Sequence, residues 1–493
     1  MWFNKIGDLA NLCKSIFGTS IFGVPFIFSL VGPVPSIILC IILGVATFHC
    51  SAILVECKYA IIEDICQEEE EEENRRWNEE HGMSTRCWLT ANISYEDIGF
   101  CTMGKYGRWL VKVCLTLTQM GLTVNYMIVS GNAFYDLYWS ALSLIEASAV
   151  DLRNGTLLDA GDSPGGSSLI VFVLLPFPVY VAMTMVQEIR GLSVISILSL
   201  SGLLAGVLII VIYTALTAID PSSTTSFFYV NWVSIPAAIS QITTAYESIG
   251  VVGCKRQTPC KPQHSPSQIL SIETSMKGNY SSFRQNLILS LTFFGSLLVT
   301  LGCVVYAGYG HQTAQLVFTN LPKGSAVSFL VEAMLLVASI LCYPLQVFPA
   351  VETVEKLVFP CAEDAEEDAI IRDSKEEATA SNEYIPALTF TRKLPTISKT
   401  VPRWKHVLVR LAFVTILAFI AVVFRENFVF ILSFSGALAF IPLCFVIPSV
   451  IHLILLRQKL SILLTFIDIS LIFLGIVSSV ITIVTVCIEL ANL

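Results

Sequence analysis

The chain contains eleven long apolar stretches, which are separated by polar loops. Each stretch is close to the ~20 residues that an α-helix needs to cross the hydrocarbon core of a bilayer. The pattern therefore predicts an all-α polytopic membrane protein with eleven transmembrane helices. These are called spans 1 to 11 and are placed at residues 9–31, 34–58, 110–134, 168–187, 193–218, 232–253, 287–309, 326–349, 405–424, 427–455 and 462–487.

Two of these stretches contain residues that interrupt a helix. In span 1, Gly18, Gly23 and Pro25 lie within eight residues, and in span 6 the run Tyr246-Glu247-Ser248-Ile249-Gly250 places a carboxylate and a glycine in apolar surroundings. Backbone groups freed by such breaks cannot remain unpaired in hydrocarbon, so they need an ion, a ligand or a cavity. Two interrupted helices in corresponding places indicate the substrate site of a secondary transporter.

Composition supports a membrane protein and locates the charge in the loops. Of the 493 residues, 54% are hydrophobic and 14% charged, which excludes a soluble globule of this size. The net charge is −9, and the acidic residues cluster in two runs, Glu68–Glu73 and Glu363–Glu377. We interpret these as solvated cytosolic segments. The expected division is spans 1–2 at 1–59, an acidic cytosolic loop at 60–107, spans 3–8 at 108–350, a disordered acidic cytosolic loop at 351–404, and spans 9–11 at 405–493.

The basic residues predict the orientation. If the N-terminus is cytosolic, only Arg153, Lys323 and Arg425 of the 29 basic residues fall outside, in agreement with the positive-inside rule. The C-terminus then lies outside or in a lumen. Asn154 begins an Asn-Gly-Thr sequence in the longest outer loop, where it is either a glycosylation site or a chance match.

Several motifs resemble those of the amino acid/auxin permease family, also called the transmembrane amino acid transporter family. Residues 18–25 (Gly-Thr-Ser-Ile-Phe-Gly-Val-Pro) resemble its glycine-rich first helix, and His49-Cys50 in span 2 is similar to the second helix of its proton-coupled branch. Further matches are residues 246–252 in span 6 and 343–346 (Tyr-Pro-Leu-Gln) in span 8. The resemblance implies a five-plus-five inverted repeat of the LeuT-like kind, with broken helices 1 and 6 and span 11 added.

A free amino acid carries a carboxylate and an ammonium, and both need substitutes for their water. The break in span 1 offers backbone N–H groups to the carboxylate, and the break in span 6 offers carbonyls to the ammonium. The candidate substrate-binding residues are Gly18, Thr19, Ser20, Gly23, Gln119, Tyr126, Tyr246, Glu247, Ser248, Gly250 and Tyr343. The alternatives are a helix bend for packing at the glycines and hydrogen bonds between helices for the polar side chains.

His49 and Glu247 are the candidate proton-coupling residues. A carboxylate at membrane depth costs ~2.5–3.5 kcal/mol on insertion scales, so Glu247 needs a cavity or a partner. His49 is of a type that titrates near physiological pH, and the resemblance matches it to the histidine of the proton-coupled branch. Structural hydrogen bonding is the alternative for both residues.

We therefore expect a secondary active transporter of small neutral amino acids that works by alternating access and is coupled to protons. Sodium coupling is the alternative within this class, and a sensor that binds an amino acid without moving it is the alternative outside it. The sequence shows no enzyme motif and no metal spacing, so we expect no catalytic residues, metal or cofactor. The expected partners are the amino acid and the bilayer, not nucleic acid, in a plasma, lysosomal or vesicular membrane.

Overall fold

The computed structural model describes residues 16–68, 93–151, 167–185, 192–217, 228–246, 280–359, 403–458 and 460–491. Within these ranges the chain folds into helices joined by turns, without a β-strand. Eight of the helices described are long and apolar enough to cross a membrane, and they coincide with spans 2, 3, 5, 7, 8, 9, 10 and 11. The protein is therefore an all-α, multi-pass membrane protein, as the hydrophobic pattern predicts.

The long helices begin and end close to the predicted bounds, but several continue into the loops. Glu63 and Asp64 lie within the extension of span 2, so a search for apolar runs ends too early there. Helices thus enter both ends of the predicted acidic segment 60–107. The observed helices are Pro33–Glu68, Tyr95–Asp151, Leu192–Thr217, Tyr280–Tyr309, Ala326–Val358, Arg403–Val423, Phe428–Leu455 and Ile462–Ala491. The second of these consists of two helices that meet at a kink at Gly104, where φ is 66°.

Spans 1, 4 and 6 are built from shorter pieces. Span 1 is a 3₁₀-helix, Thr19–Gly23, followed by an α-helix, Val24–Val31. Span 4 divides into Ser167–Leu174 and Phe177–Met185 around Pro176, and span 6 is described as a helix from Ile235 to Ala245. Because these pieces are short, the total of eleven crossings stays a prediction.

The interior lies between spans 1, 3, 6, 8 and 10. Span 8 packs along span 3 and span 5, and span 1 packs against span 7. Large aromatic side chains such as Phe22, Phe28, Tyr126 and Phe440 are completely buried there. The outer faces of spans 2 and 11 instead expose large apolar side chains, and a face of this kind is stable against lipid tails.

Span 10 carries two wide π-helical turns, Gly436–Phe440 and Pro442–Val446, between the α-helices Phe428–Ser435 and Ile447–Leu455. Pro442 has no N–H to close an α-helical hydrogen bond, which accounts for a local irregularity. The first of these turns packs against spans 3 and 6. Single π-turns inside α-helices occur frequently at functional sites.

Candidate functional site

The predicted interruption of span 1 is present. Gly18 has an extended backbone (φ −133°, ψ 175°), and the 3₁₀ turns of Thr19–Gly23 separate it from the α-helix that starts at Val24. Pro25 lies in the first turn of that helix, where a missing N–H costs no hydrogen bond. The backbone therefore departs from the α-helix at the position that the glycines and the proline indicate.

Asn125 of span 3 connects to this break. Its Nδ2 donates to Oγ1 of Thr19 over 3.3 Å and to Oγ of Ser20 over 3.4 Å, and all three residues are buried. Its Oδ1 is also buried and has no hydrogen-bond partner within the part of the chain described. A buried acceptor without a partner is costly, so Oδ1 is suited to receive a donor from a ligand.

Gln241 of span 6 packs directly onto Gly23. A Cβ at position 23 would overlap the Gln241 amide and would lie 2.9 Å from Cε1 of Phe428 in span 10. Gln241 is completely buried, and among the residues described neither its amide nitrogen nor its amide oxygen has a hydrogen-bond partner. Gln241 is not among the residues predicted from the sequence. The available signal is an amide side chain in the membrane-spanning segment that also holds Glu247.

Span 10 closes the site from another side. Gly436 lies so close to Ser240 of span 6 that a side chain at position 436 would overlap the Ser240 hydroxyl. Ser240 Oγ donates to the carbonyl of Ser433 over 2.5 Å. A Cβ at Gly121 of span 3 would lie 2.7 Å from Cβ of Ser435. Spans 3, 6 and 10 therefore converge beside the break in span 1.

Tyr126 and Gln119 are both buried on span 3, as expected of site residues. Tyr126 faces the break, because its hydroxyl oxygen would lie 3.7 Å from a Cβ at Gly18. Gln119 belongs to the same helix, six residues before Asn125. The structure thus brings Gly18, Thr19, Ser20, Gly23 and Tyr126 together around one short stretch of irregular backbone.

Tyr246 immediately follows the last helical residue of span 6, and its hydroxyl donates to the carbonyl of Cys40 in span 2 over 3.1 Å. Its ring packs edge-on against Phe294, with centroids 5.8 Å apart, and Phe294 packs in the same way against Phe17, 5.4 Å away. Tyr246 is therefore connected to the break in span 1 by ring contacts through Phe294 and Phe17. The predicted residues Glu247, Ser248 and Gly250 lie outside the residues that the structure describes.

Tyr343 of span 8 belongs to a separate polar cluster. Its hydroxyl lies 3.3 Å from Oγ1 of Thr184, and its ring centroid lies 4.5 Å from that of Tyr180. The Tyr180 hydroxyl in turn hydrogen-bonds Ser130 of span 3. The contacts of Tyr343 thus join spans 3, 4 and 8.

His49 has a partner that the sequence pattern does not predict. Its Nε2 lies 3.0 Å from Oδ1 of Asp468 in span 11, and Nδ1 of His452 in span 10 lies 2.7 Å from Oδ2 of the same carboxylate. Asp468 and His452 are not among the residues predicted from the sequence. The signal that could have identified them is that both are ionisable residues within apolar stretches. The candidate glycosylation residue Asn154 lies outside the described residues.

Comparison with known proteins agrees with the family resemblance of the sequence motifs. The family described as "Transmembrane amino acid transporter protein" matches residues 7–79 and 83–488. Vacuolar amino acid transporter 4 of Saccharomyces cerevisiae is 24% identical over 449 residues, covering 90% of this chain and 51% of that protein. Amino acid transporter AVT3B of Arabidopsis thaliana is 22% identical over 485 residues, covering 97% and 91%. The vesicular inhibitory amino acid transporter of Xenopus tropicalis is 24% identical over 478 residues, covering 95% and 74%.

The chain therefore spans about half the length of the yeast relative and most of the length of the plant one. Among solved structures, the inward-facing conformation of Mhp1 aligns over 98% of this chain and 90% of its own, at a TM-score of 0.47 and 9% identity. A manganese transporter of Eremococcus coleocola aligns over 98% and 86%, at a TM-score of 0.44 and 9% identity.

Proposed function

Because the chain belongs to the transmembrane amino acid transporter family, we propose that it is a secondary active transporter that carries amino acids across a membrane by alternating access. The observation that carries this proposal is the interrupted span 1, where Asn125 holds the Thr19 and Ser20 hydroxyls beside irregular backbone. Such a place supplies fixed dipoles to a small zwitterion that has lost its water.

In this proposal the carboxylate of the substrate binds at the start of the α-helix that follows the break, where backbone N–H groups and the helix dipole favour an anion. The ammonium binds the Asn125 carbonyl oxygen and backbone carbonyls of the interrupted region. Gln241 and Phe428 already occupy the space next to Gly23. The limited room favours small neutral side chains on the substrate.

We propose protons as the coupling ion, with His49 and Glu247 as the residues that carry them. Sodium coupling is the competing mechanism and would use oxygen ligands near the break. The five-plus-five inverted repeat remains an implication of the family resemblance. The vacuolar and vesicular names of two relatives support a vesicular or vacuolar membrane for this protein. The proposed cytosolic N-terminus rests on the distribution of basic residues.

The test is uptake of radiolabelled glycine, alanine, proline and lysine by the purified full-length protein in liposomes. Uptake is measured at acidic and neutral pH, with sodium present or replaced by choline. We expect uptake of the small neutral amino acids that increases with a proton gradient and does not need sodium. A strict requirement for sodium would show that sodium, and not the proton, is the coupling ion. Binding without flux would identify a sensor instead of a transporter.

The roles of the two coupling candidates are tested with Glu247→Gln and His49→Ala in the same liposomes. We expect each variant to lose part of the dependence of uptake on the proton gradient. A pH dependence that is unchanged in both variants would remove these residues from the coupling mechanism.

A further inference from the structure

Three ionisable side chains meet inside the membrane region, away from the break in span 1. His49 of span 2 and His452 of span 10 each hydrogen-bond one carboxylate oxygen of Asp468 in span 11, over 3.0 and 2.7 Å. The Asp468 side chain is 0% exposed and that of His452 is 2% exposed, whereas His49 is 19% exposed. The cluster is therefore closed around the carboxylate and open to its surroundings only at His49.

The charge of this cluster depends on one proton. A carboxylate only accepts hydrogen bonds, so both imidazoles donate an N–H to it. If both imidazoles are neutral, the cluster carries a net charge of −1 in apolar surroundings, which is costly. One added proton converts one imidazole to imidazolium and brings the net charge to zero. The geometry therefore favours the uptake of a single proton.

Several titratable neighbours of the cluster within the described residues add no positive charge to it. The thiols of Cys50 and Cys57 in span 2 lie near Asp468, but a thiol is neutral and a thiolate negative. The helix Ile235–Ala245 of span 6, which packs on span 11, has no titratable side chain, and span 10 adds only Cys444 to His452 within Phe428–Leu455. The cations on these neighbouring helices are Lys58 of span 2, which is fully buried nine residues after His49, and Arg284 of span 7, which lies over the ring of Phe48, 5.6 Å from its centroid.

We propose that His49, Asp468 and His452 form a proton-binding site in which the two imidazoles share one added proton and Asp468 is its counter-ion. His49 is the most exposed member of the cluster and His452 is the buried second imidazole that holds the proton. The role of this proton in transport rests on the proposed function, whereas its binding does not. Asp468 acts here as a positioning residue, since it orients both rings.

The site is physically connected to the candidate substrate site through span 10. His452 lies in the same continuous helical segment, Phe428–Leu455, as Gly436, which packs on Ser240 of span 6. Protonation changes the attraction between span 10 and span 11 at one end of this segment. The other end contacts the helices around the break in span 1. The proton site can thus bias the position of a helix that closes the substrate site.

Proton binding is tested directly by NMR titration of isotope-labelled histidines in the purified full-length protein. The chain has six histidines, and the His49→Gln and His452→Gln variants assign the two signals of interest. We expect the signal of at least one of these histidines to respond to pH, and Asp468→Asn to change that response, because Asp468 is the hydrogen-bond partner of both rings. An unchanged response in Asp468→Asn would overturn the proposal, as would the absence of titration of both residues across about pH 4 to 9.

The coupling role is tested in liposomes with His452→Gln, which keeps a hydrogen-bond donor for Asp468 but cannot carry the charge. A gradient of one pH unit can drive about tenfold accumulation per coupled proton. We expect His452→Gln to reduce this accumulation, because only His49 then remains to hold the proton, while it retains substrate exchange at equal pH. His406→Gln is the matched control, because its partner Glu355 also binds Arg410, and it should accumulate substrate normally.

The two proposals fail in different ways. If the wild-type protein moves no amino acid, the proposed function is wrong, and the NMR titration still decides whether the proton site exists. If the wild-type protein accumulates substrate and His452→Gln does so equally well, the cluster is a structural link between spans 2, 10 and 11 and the coupling role is wrong.

Discussion

At the scale of the residue, Asn125 is the side chain that fixes the geometry of the break. Its amide holds the Thr19 and Ser20 hydroxyls, and its carbonyl oxygen faces no partner in the described structure. Asn132, two turns further along span 3, instead donates to the carbonyl of Ile128 in its own helix over 2.9 Å. The same residue type on one helix thus serves the candidate site at position 125 and local structure at position 132.

This contrast gives a prediction for substrate uptake. Asn125→Ala removes two hydrogen bonds to the break, each contributing about 1 kcal/mol, so we expect uptake to fall about tenfold or more. Asn132→Ala should leave uptake within about twofold of the wild type, because it removes a bond outside the site. Uptake per molecule of folded protein, measured by fluorescence-detected chromatography and liposome assay, checks both. Equal losses in the two variants would contradict the role of Asn125.

At the scale of the element, the two glycines of span 1 serve different purposes. Gly23 is needed because Gln241 and Phe428 approach its backbone too closely for a side chain. Gly18 has room, since a Cβ there would meet the Tyr126 hydroxyl at an ordinary contact distance of 3.7 Å. The first glycine is therefore free to contact a ligand, and the second is required for helix packing.

Gly23→Ala should accordingly destabilise the fold by about 1–3 kcal/mol, the usual range for overpacking, and lower the thermal unfolding temperature. Gly18→Ala should leave the unfolding temperature unchanged and raise KM for the substrate, because it alters only the surface offered to the ligand. Thermal unfolding in detergent and uptake kinetics in liposomes measure the two effects. A large loss of stability in Gly18→Ala would show that packing accounts for both glycines.

At the scale of the whole molecule, Arg410 of span 9 joins three spans. Its Nη1 donates to the carbonyl of Thr184 in span 4 over 2.8 Å, and its Nε and Nη2 bind the carboxylate of Glu355 in span 8 over 2.7 and 3.2 Å. The side chains of Arg410 and Glu355 are only 10% and 12% exposed. Removal of one member of such a nearly buried ion pair is strongly destabilising, because the other charge is left buried without a partner.

We expect Arg410→Gln to destabilise the protein by about 3–5 kcal/mol, since it leaves the Glu355 carboxylate without its bidentate partner. Arg425→Gln is the matched control: its pair with Glu426 has side chains 22% and 55% exposed, so the loss should be about 0–1 kcal/mol. Thermal unfolding of both variants in the same detergent is the measurement. A loss in Arg410→Gln as small as in the control would contradict a structural role for this link.

The predicted orientation places Lys323 and Arg425 outside, and both have an acidic neighbour. Lys323 Nζ lies 3.6 Å from Oδ1 of Asp136, and Arg425 Nη2 lies 2.8 Å from Oε1 of Glu426. These ion pairs reduce the local excess of positive charge on the outer side of the membrane, where the positive-inside rule expects few Lys and Arg residues.

The same orientation predicts glycosylation at Asn154. In a eukaryotic cell the protein should migrate faster after treatment with a glycosidase, and Asn154→Gln should remove that difference. A shift that persists in Asn154→Gln would place another glycan-bearing loop outside and would contradict the predicted topology.

The sequence by itself determined most of the helices and the break in span 1. Both are local properties: the length of an apolar run decides whether a helix can cross a bilayer, and glycines with a proline decide where it is interrupted. The family motifs added His49, Thr19 and Ser20, and the polar positions of span 3 added Tyr126; all four lie in spans that the structure describes. The polar continuations of spans 2, 3, 7 and 8 escaped a search for apolar stretches.

The tertiary structure alone decided which of these residues meet. His49 and Asp468 are separated by 419 positions, and Asn125 lies 106 positions from Thr19, so no local pattern connects them. Packing likewise set Gln241 against Gly23 and directed the hydroxyls of Tyr246 and Tyr343 to Cys40 and Thr184. The physical reason is that a helical period fixes the face on which a side chain lies, whereas its partner is chosen by the packing of distant helices.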